Sequence, residues 1–202
     1  MGIAAARPHA DGRTARSERT RLAVVDALLE LLDDGEVRPT AERIAGRAGV
    51  SERSLFQHFH DREALFEAVA QRQYDRVVPT LSPIDADLPL DERLDAFVEQ
   101  RCRLLETLSG VRRGALLMEP ESTTIANWLR RARSAKAAEA RRVFARELDA
   151  RAPAERAPLA AALVAACSWT AWECYRLHQE LSAGEAAAAM RTGLAALVRA
   201  GD

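Results

Sequence analysis

The chain has 202 residues, of which 48% are hydrophobic and 29% are charged, and its formal net charge is -1. This composition excludes an intrinsically disordered chain, and the length allows a sizeable core. The pI of about 6.5 excludes a globally basic nucleic-acid binder, so any DNA site must come from local clustering. Helix formers dominate and β-branched residues are few, which predicts an all-α fold of about nine helices.

The cysteines, Cys102, Cys167 and Cys174, are widely spaced and form no CxxC pair. This pattern argues against a disulfide framework and against a zinc ribbon, and it fits a reducing compartment. The N-terminus carries no apolar run that would form a signal peptide. The longest uncharged apolar stretch is too short to span a membrane. We therefore expect a cytoplasmic protein with no membrane partner.

Residues 1–16 show no apolar periodicity and are predicted to form a flexible basic arm. Five arginines and two acidic residues over residues 1–21 leave a local excess of three positive charges. Two interpretations stay open: a disordered terminus, or a tail that contacts DNA phosphates. A first helix is predicted over about residues 17–34 and ends at Gly35. Its buried stripe comprises Leu22, Val25, Leu28, Leu29 and Leu32.

The stretch from Pro39 to Leu65 predicts two short helices joined by a tight turn and followed by a third helix. Thr40, Ser51 and Asp61 are suited to cap these helices, because their side-chain oxygens accept hydrogen bonds from first-turn amides. Gly49 falls where the first of them must end, in a position suited to positive φ. This is the pattern of a helix-turn-helix, whose second helix enters the major groove of DNA.

Downstream, the third helix of the motif is predicted to continue to about Val78 and to end at Pro79 and Pro83. Further helices are predicted over residues 89–108, ended by Gly110, and over residues 112–118, 122–150, 154–179 and 183–200. Over its central turns the helix at 154–179 is apolar nearly all round. Such a surface is either buried within the monomer or paired with a second copy, and we favour a two-fold interface.

The run IAGRAGVSERSLFQHFHDREALFEAV, residues 44–69, closely resembles the DNA-binding signature of the TetR (tetracycline-repressor-like) family of transcriptional regulators. That signature is a helix ending in Ala-Gly-Val, a recognition helix started by Ser, and an aromatic-x-His-Phe run. The matching residues are Ile44, Ala45, Ala48, Gly49, Val50, Ser51, Leu55, Phe56, His58, Phe59, Arg62 and Leu65. Two residues depart from it. Phe56 replaces a Tyr whose hydroxyl reaches a phosphate in the family, and Arg62 replaces a Lys but keeps its charge.

Two groups of side chains are predicted to contact DNA, because phosphate contacts position a protein and base contacts specify its site. The phosphate-positioning group combines two helix N-termini, a surface arginine and three residues that the resemblance implies: Thr40, Ser51, Arg43, Phe56, His58 and Arg62. The base-reading group lies on the early outward turns of the recognition helix: Glu52, Arg53, Ser54 and Gln57. Arg53 suits guanine and Gln57 suits adenine, whereas Glu52 would either accept from cytosine or repel phosphates. Arg47 is expected to be a solvated surface charge.

The resemblance also implies a division of labour along the chain. Residues 17–62 would be the helix-turn-helix domain, and residues 63–202 a helical domain for an unknown small ligand and for dimerisation through about residues 154–200. A homodimer would bind a palindromic double-stranded operator, and the ligand would release it. Candidate pocket residues are Phe97, Cys102, Leu105, Leu117, Met118, Trp128, Trp169 and Tyr175, although helical spacing favours a core position for each one taken singly.

Catalytic interpretations find little support. The four histidines are scattered, and His58 and His60 do not share a helical face, so they are a poor metal pair. The sequence contains no Gly-rich phosphate loop, no GxSxG and no HExxH. We expect no enzyme, no metal and no cofactor. Two alternatives to a ligand-released repressor stay open: a ligand-blind regulator or activator of the same fold, and an all-helical protein-interaction module.

Overall fold

The structure, a computed structural model, describes residues 9–199, and all regular structure within them is helical. The predicted all-α fold is confirmed, with ten α-helices where about nine were expected. They are α1 (His9–Asp33), α2 (Ala41–Ala48), α3 (Glu52–His58), α4 (Arg62–Val77), α5 (Leu90–Met118), α6 (Thr123–Val143), α7 (Ala145–Asp149), α8 (Pro153–Ala166), α9 (Trp169–Glu173) and α10 (Ala183–Arg199). No helix in this part of the chain is long and apolar enough to cross a membrane.

The helices form two compact units. Unit 1 holds the described chain up to Asp75 together with residues 110–125. Unit 2 holds residues 76–109 and the described chain from Ala126 onward. The predicted division into functional domains at residue 62 stays a prediction, since packing alone does not assign a function.

Helix α1 begins at His9, so the backbone of residues 9–16 is helical, whereas the first helix was predicted to start at about residue 17. Alanines and arginines in this stretch favour helix, and a single Gly12 is not enough to interrupt it. The rest of the predicted arm, residues 1–8, lies outside the described residues. The predicted stripe of α1 is buried at Val25, Leu28, Leu29 and Leu32, and Leu22 is half-buried.

Unit 1 packs the helix-turn-helix against α1. Ile44 and Ala45 of α2, Leu55 of α3 and Phe59 just after it are all buried. Leu65, Phe66 and Val69 of α4 are buried too. The residues that make this segment recognisable are therefore mainly packing residues, as amphipathic helices of a small core require.

Helix α5 runs without interruption through Gly110, whereas Gly110 was predicted to end one helix before another at residues 112–118. The prediction was wrong because Gly110 serves close packing. A Cβ atom there would lie 2.7 Å from the carbonyl oxygen of Leu32 in α1. Gly114, one turn later, is similarly tight, with 2.7 Å to Leu32 Cδ2.

Unit 2 has a large apolar core with ion pairs set into it. Phe97 and Phe144 meet edge to face with ring centroids 5.2 Å apart, and Trp172 is fully buried. The buried guanidinium of Arg93 pairs with Glu147 and donates to the Val143 carbonyl at 2.7 Å. Desolvation of Glu147 opposes its ionisation, but the hydrogen bond from Arg93, a backbone hydrogen bond and the charges of Arg93 and Arg146 together outweigh it, so the pKa of Glu147 is lowered.

Two further predicted helices are broken in unit 2. The helix predicted over residues 122–150 is split at Phe144, whose φ of -105° and ψ of 26° leave the helical region. The helix predicted over residues 154–179 ends at Ala166, and α9 starts after Ser168, whose hydroxyl accepts from the Ala171 amide at 3.1 Å. A π-helical turn, Cys174–His178, then closes with the Gln179 amide donating to the Cys174 carbonyl at 3.0 Å.

Candidate nucleic-acid interface

The helix-turn-helix is fixed by its caps. The Thr40 hydroxyl accepts from the Arg43 amide at 3.2 Å and so begins α2. Gly49 ends α2 at φ 68°, and the Val50 amide then donates to the Ala45 carbonyl at 3.0 Å. The Ser51 hydroxyl accepts from the Ser54 amide at 3.2 Å and begins α3. These local contacts are those that the sequence predicts, and they hold the orientation of α3.

Helix α3 has one buried edge and one exposed face. Leu55 and Phe59 point into the core of unit 1, and the Arg21 guanidinium covers the Phe59 ring at 5.2 Å from its centroid. Ser54 is half-buried. The exposed side chains of the helix are Glu52, Arg53, Phe56 and Gln57. All of the predicted base-reading residues therefore lie on α3, and three of the four are fully open to a partner.

The arginines of α2 already have carboxylate partners. Arg43 pairs with Glu36 at 3.1 Å, and Arg47 pairs with Asp34 at 3.0 Å and with Glu30 at 3.4 Å. The hydrogen bond to Asp34 is the main reason that the pKa of Arg47 is raised. Arg47 is thus ion-paired as well as partly exposed, which the sequence did not indicate. Arg43, a predicted phosphate contact, would have to exchange Glu36 for a phosphate.

The turn between α3 and α4 carries the remaining predicted phosphate contacts. His58 ends α3 and is half-buried. Arg62 begins α4, with its guanidinium 5.7 Å from the centroid of the Phe66 ring. The Asp61 carboxylate accepts from the Ala64 amide at 2.7 Å, as its predicted capping role requires. An exposed cation held over a ring at this turn can face a phosphate.

Glu63 makes a contact that sequence reasoning missed. Its carboxylate accepts from the Ser122 hydroxyl at 2.7 Å, and the Ser122 hydroxyl in turn accepts from the Ile125 amide at 3.0 Å. A hydrogen bond from Thr124, followed by the one from Ser122, lowers the pKa of Glu63. The first turn of α4 is thereby joined to the first turn of α6 within unit 1. Glu63 and Ser122 lie 59 positions apart in the sequence, so no local pattern predicts this hydrogen bond.

The predicted pocket residues are distributed over both units. Phe97, Cys102 and Leu105 are buried in the core of unit 2, and Trp169 and Tyr175 pack against the same core while half-buried. Trp128 is half-buried in unit 2. Leu117 and Met118 belong to unit 1, and Leu117 is exposed. Helical spacing favoured a core position for each of them, and the three buried ones are core residues here.

A polar network in unit 2 escaped the sequence analysis. The Trp172 indole and the Arg176 guanidinium both donate to Glu106, each at 2.8 Å. The Trp169 indole donates to the Ser109 hydroxyl at 3.0 Å, and Ser109 donates to the Leu105 carbonyl at 2.8 Å. Tryptophan indoles on α9 thus find acceptors on α5, which orients both rings.

The buried thiols are poorly disposed to react. Burial, reinforced by the charge of Glu106, raises the pKa of Cys102 to about 12. Burial raises the pKa of Cys167 as well, whereas Cys174 is exposed on the π turn. Among the described residues, no group of three or more His, Cys, Asp or Glu side chains is arranged to hold a metal ion.

Comparison with known proteins adds three observations. The family model described as bacterial regulatory proteins, tetR family, matches residues 24–69. A tetR-family transcriptional regulator from Streptomyces coelicolor is 20% identical with a TM-score of 0.67, and the match covers 92% of this chain and 84% of that one. A transcriptional regulator from Rhodococcus sp. Rha1 is 17% identical with a TM-score of 0.67, covering 91% of this chain and 96% of that one.

A TetR-like transcriptional regulator from Rhodococcus sp. RHA1 is also similar, at 18% identity and a TM-score of 0.62, covering 91% of this chain and 97% of that one. At these identities the solved structures show a shared fold over most of the chain. No curated protein matches the sequence.

Proposed function

We propose that this chain is a transcriptional regulator of the TetR family and that it acts as a ligand-released repressor. The family-model match over residues 24–69 and the fold shared with solved regulators support this proposal. It would bind a palindromic operator as a homodimer through α3. A small ligand bound by the rest of the chain would release the operator. The nearest competing proposal is a ligand-blind regulator or activator of the same fold.

The observation that carries the proposal is the exposed face of α3. Glu52, Arg53 and Gln57 stand open on a short helix whose other edge is anchored by Leu55. A guanidinium pairs bidentately with guanine and an amide with adenine in the major groove. The Ser51 cap and the buried Leu55 hold these side chains on one outward face, which is the arrangement that a recognition helix presents to the major groove.

The residues that would contact DNA fall into two groups, which read bases and bind phosphates. Arg53 is our choice for a guanine reader and Gln57 for an adenine reader, with Ser54 and Glu52 adjusting the neighbouring positions. Thr40, Ser51, His58 and Arg62 would hold the phosphates on either side, with Arg43 joining them once it leaves Glu36. These assignments rest on exposure and on helix position.

Dimerisation would use α8 and α10. Helix α8 exposes Ala157, Ala161 and Ala165, which recur every fourth residue and so form one ridge. Helix α10 exposes a matching ridge at Ala188, Thr192 and Ala196. Small side chains let helices of two copies approach closely, and a two-fold axis would pair each ridge with its own copy or with the other.

The ligand would act through a difference in affinity. A molecule that binds the DNA-competent and the DNA-released forms equally well shifts nothing. The side chains that line the core of unit 2 and remain partly open, Trp169 and Tyr175, are the best candidates to touch it, together with Trp128. Their rings suit a mixed apolar and polar ligand.

The experiment begins with the full-length protein and a pool of random duplexes. Rounds of selection should enrich one palindromic sequence, and sedimentation of the complex should give two chains per duplex. Binding measured by gel shift should fall steeply with added salt, because phosphate contacts release counterions. Enrichment of no sequence would point to the protein-interaction alternative, and one chain per duplex would exclude the dimer.

The ligand is tested separately. A library of small metabolites is screened for compounds that raise the melting temperature, since binding to the native state stabilises it. A hit should also weaken the gel shift with the selected duplex. A screen in which no compound raises the melting temperature would favour the ligand-blind regulator. Compounds that strengthen duplex binding would favour the activator, and compounds that stabilise the protein but leave the duplex bound would contradict release by a ligand.

A further inference from the structure

Phe56 is the exception among the phenylalanines of this chain. The sequence contains five, and Phe59, Phe66, Phe97 and Phe144 are at most 2% exposed. Phe56 is 56% exposed. Burial of an aromatic ring stabilises a fold, and a ring left in water gives up that contribution. An aromatic ring left in solvent on the exposed face of α3 therefore invites a functional explanation.

The position of Phe56 on α3 narrows that explanation. It follows Arg53 by three residues and Glu52 by four, so by helical spacing these three side chains are neighbours on one face. Leu55 and Phe59, on the other edge, turn into the core. Phe56 thus belongs to the face that carries the base-reading candidates. It also lacks the hydroxyl with which a tyrosine would bind a phosphate.

We propose that the Phe56 ring reads a thymine by packing against its C5-methyl group in the major groove. This inference rests on the proposed DNA-binding function and adds one base preference to it. Among the groups that base pairs display in the major groove, the thymine methyl is the apolar one, and phenylalanine is a known partner for it. Phe56 is then a specificity residue, and not the phosphate-positioning residue that the resemblance implied.

The surroundings favour DNA over a protein partner. Glu52, Arg53, Gln57 and His60 are all exposed around the ring, so the apolar area is a single side chain and not a patch. Docking of a protein helix or strand needs a contiguous apolar surface. A base edge presents one methyl group beside polar donors and acceptors, which matches one ring beside polar side chains.

The test removes the methyl group alone. Each thymine of the selected duplex is replaced in turn by deoxyuridine, which keeps every hydrogen bond and lacks the C5-methyl. At one position in each half-site, the full-length wild-type protein should bind the substituted half-site about fourfold more weakly, the value for losing one buried methyl. Phe56→Ala should bind the unmodified duplex more weakly and should no longer distinguish thymine from uracil there.

Two controls make the result decisive. Val78→Ala trims another exposed apolar side chain, outside α3, and should keep the full sensitivity to uracil. Phe56→Leu keeps an apolar contact and should retain part of it. The proposal is overturned if every uracil duplex binds as well as the thymine duplex, if Phe56→Ala stays as sensitive as wild type, or if the selected half-site contains no thymine. Failure to select any duplex is a different result and would overturn the DNA-binding function itself.

Discussion

Gly110 of α5 lies directly against the backbone of Leu32 in α1. A Cβ atom at position 110 would be 2.7 Å from the Leu32 carbonyl oxygen, 2.9 Å from its carbonyl carbon and 2.6 Å from Asp33 Oδ1. The first two of these neighbours are main-chain atoms, so they cannot rotate away. No side chain larger than the hydrogen atom of glycine fits at this helix crossing. This explains the glycine inside a helix, where glycine is otherwise unfavourable.

Gly110→Ala should therefore destabilise the protein although alanine is the better helix former. The gain in helix propensity is about 1 kcal/mol, and overpacking against a fixed backbone costs typically about 1–3 kcal/mol. We expect a net loss in the free energy of unfolding, measured by urea titration. Gly46→Ala is the matched control, because a Cβ at this helical position of unit 1 meets nothing within 4 Å. It should stabilise by about 0.4–1 kcal/mol, and equal effects of the two variants would contradict the packing argument.

Arg53 and Arg62 should respond differently to replacement by alanine. Arg53→Ala should cost about 1–3 kcal/mol in binding and relax the base preference at one position of each half-site. Arg62→Ala should weaken binding to all duplexes alike and reduce the slope of log K against log salt by about one for each phosphate that is no longer neutralised. Gel shifts at several salt concentrations with matched and mismatched duplexes measure both effects.

The control for these arginine variants is Arg47→Ala. Its guanidinium is paired with Asp34 and Glu30, so the variant removes an equal charge from the same domain. We expect it to change the salt slope less than Arg62→Ala does. If the Arg53 and Arg62 variants show the same base preference and the same salt slope, the assignment of base-reading and phosphate-positioning roles is wrong.

Replacement of Glu63 by glutamine should make the melting temperature less dependent on pH. Hydrogen bonds from Thr124 and Ser122 lower the pKa of Glu63 in the folded protein. The ionised carboxylate therefore stabilises the fold above about pH 4.3, the ordinary value in an unfolded chain, and this stabilisation is lost as pH falls through the lower folded pKa. Glu63→Gln should melt below wild type at neutral pH, and the gap should close in acid.

Melting curves of Glu67→Gln provide the comparison for that gap. Glu67 is exposed on the same helix, and the substitution removes the same charge. Its melting temperature should stay close to that of wild type at neutral pH. If Glu63→Gln behaves like Glu67→Gln at every pH, the contact between α4 and the start of α6 contributes nothing to stability.

The three cysteines should differ clearly in how fast a thiol reagent labels them. Cys102 and Cys167 are buried, and burial raises the pKa of each thiol, to about 12 for Cys102, so little reactive thiolate forms at pH 8. Cys174 is exposed. Ellman's reagent should modify one thiol per native chain and all three in guanidinium, and Cys174→Ser should abolish the native reaction. Rapid labelling of more than one native thiol would show that the core of unit 2 opens readily.

The helix-turn-helix could be read from the sequence because its signals are local. Thr40, Gly49 and Ser51 each fix the backbone within a few residues, and all three act as predicted. Nothing local in the sequence showed that Glu36 and Asp34 would pair with Arg43 and Arg47. Ion pairs between helices depend on how the helices cross, which a single sequence does not state.

Beyond residue 80 the sequence was a weaker guide. Gly110 has the same local appearance as a helix stop and as a close helix crossing, and the choice depends on Leu32, far away in the chain. Ser168 lies in an apolar run that looked continuous, yet its hydroxyl starts a new helix. Within the helix-turn-helix, the exposure of Phe56 follows from the family resemblance and not from helical spacing, which alone would place an aromatic residue in the core.

A residue in a regular α-helix advances by about 100° around the axis, and a turn closed by i→i+5 hydrogen bonds holds one residue more. The π turn at Cys174–His178 and the break at Ser168 therefore reset the angular position of every later side chain. A helical wheel drawn continuously over residues 154–179 therefore superposes faces that lie apart in the fold. An alignment of this segment with another helical chain must allow for the one additional residue in the π turn. Only then can a helix face be compared between the two chains.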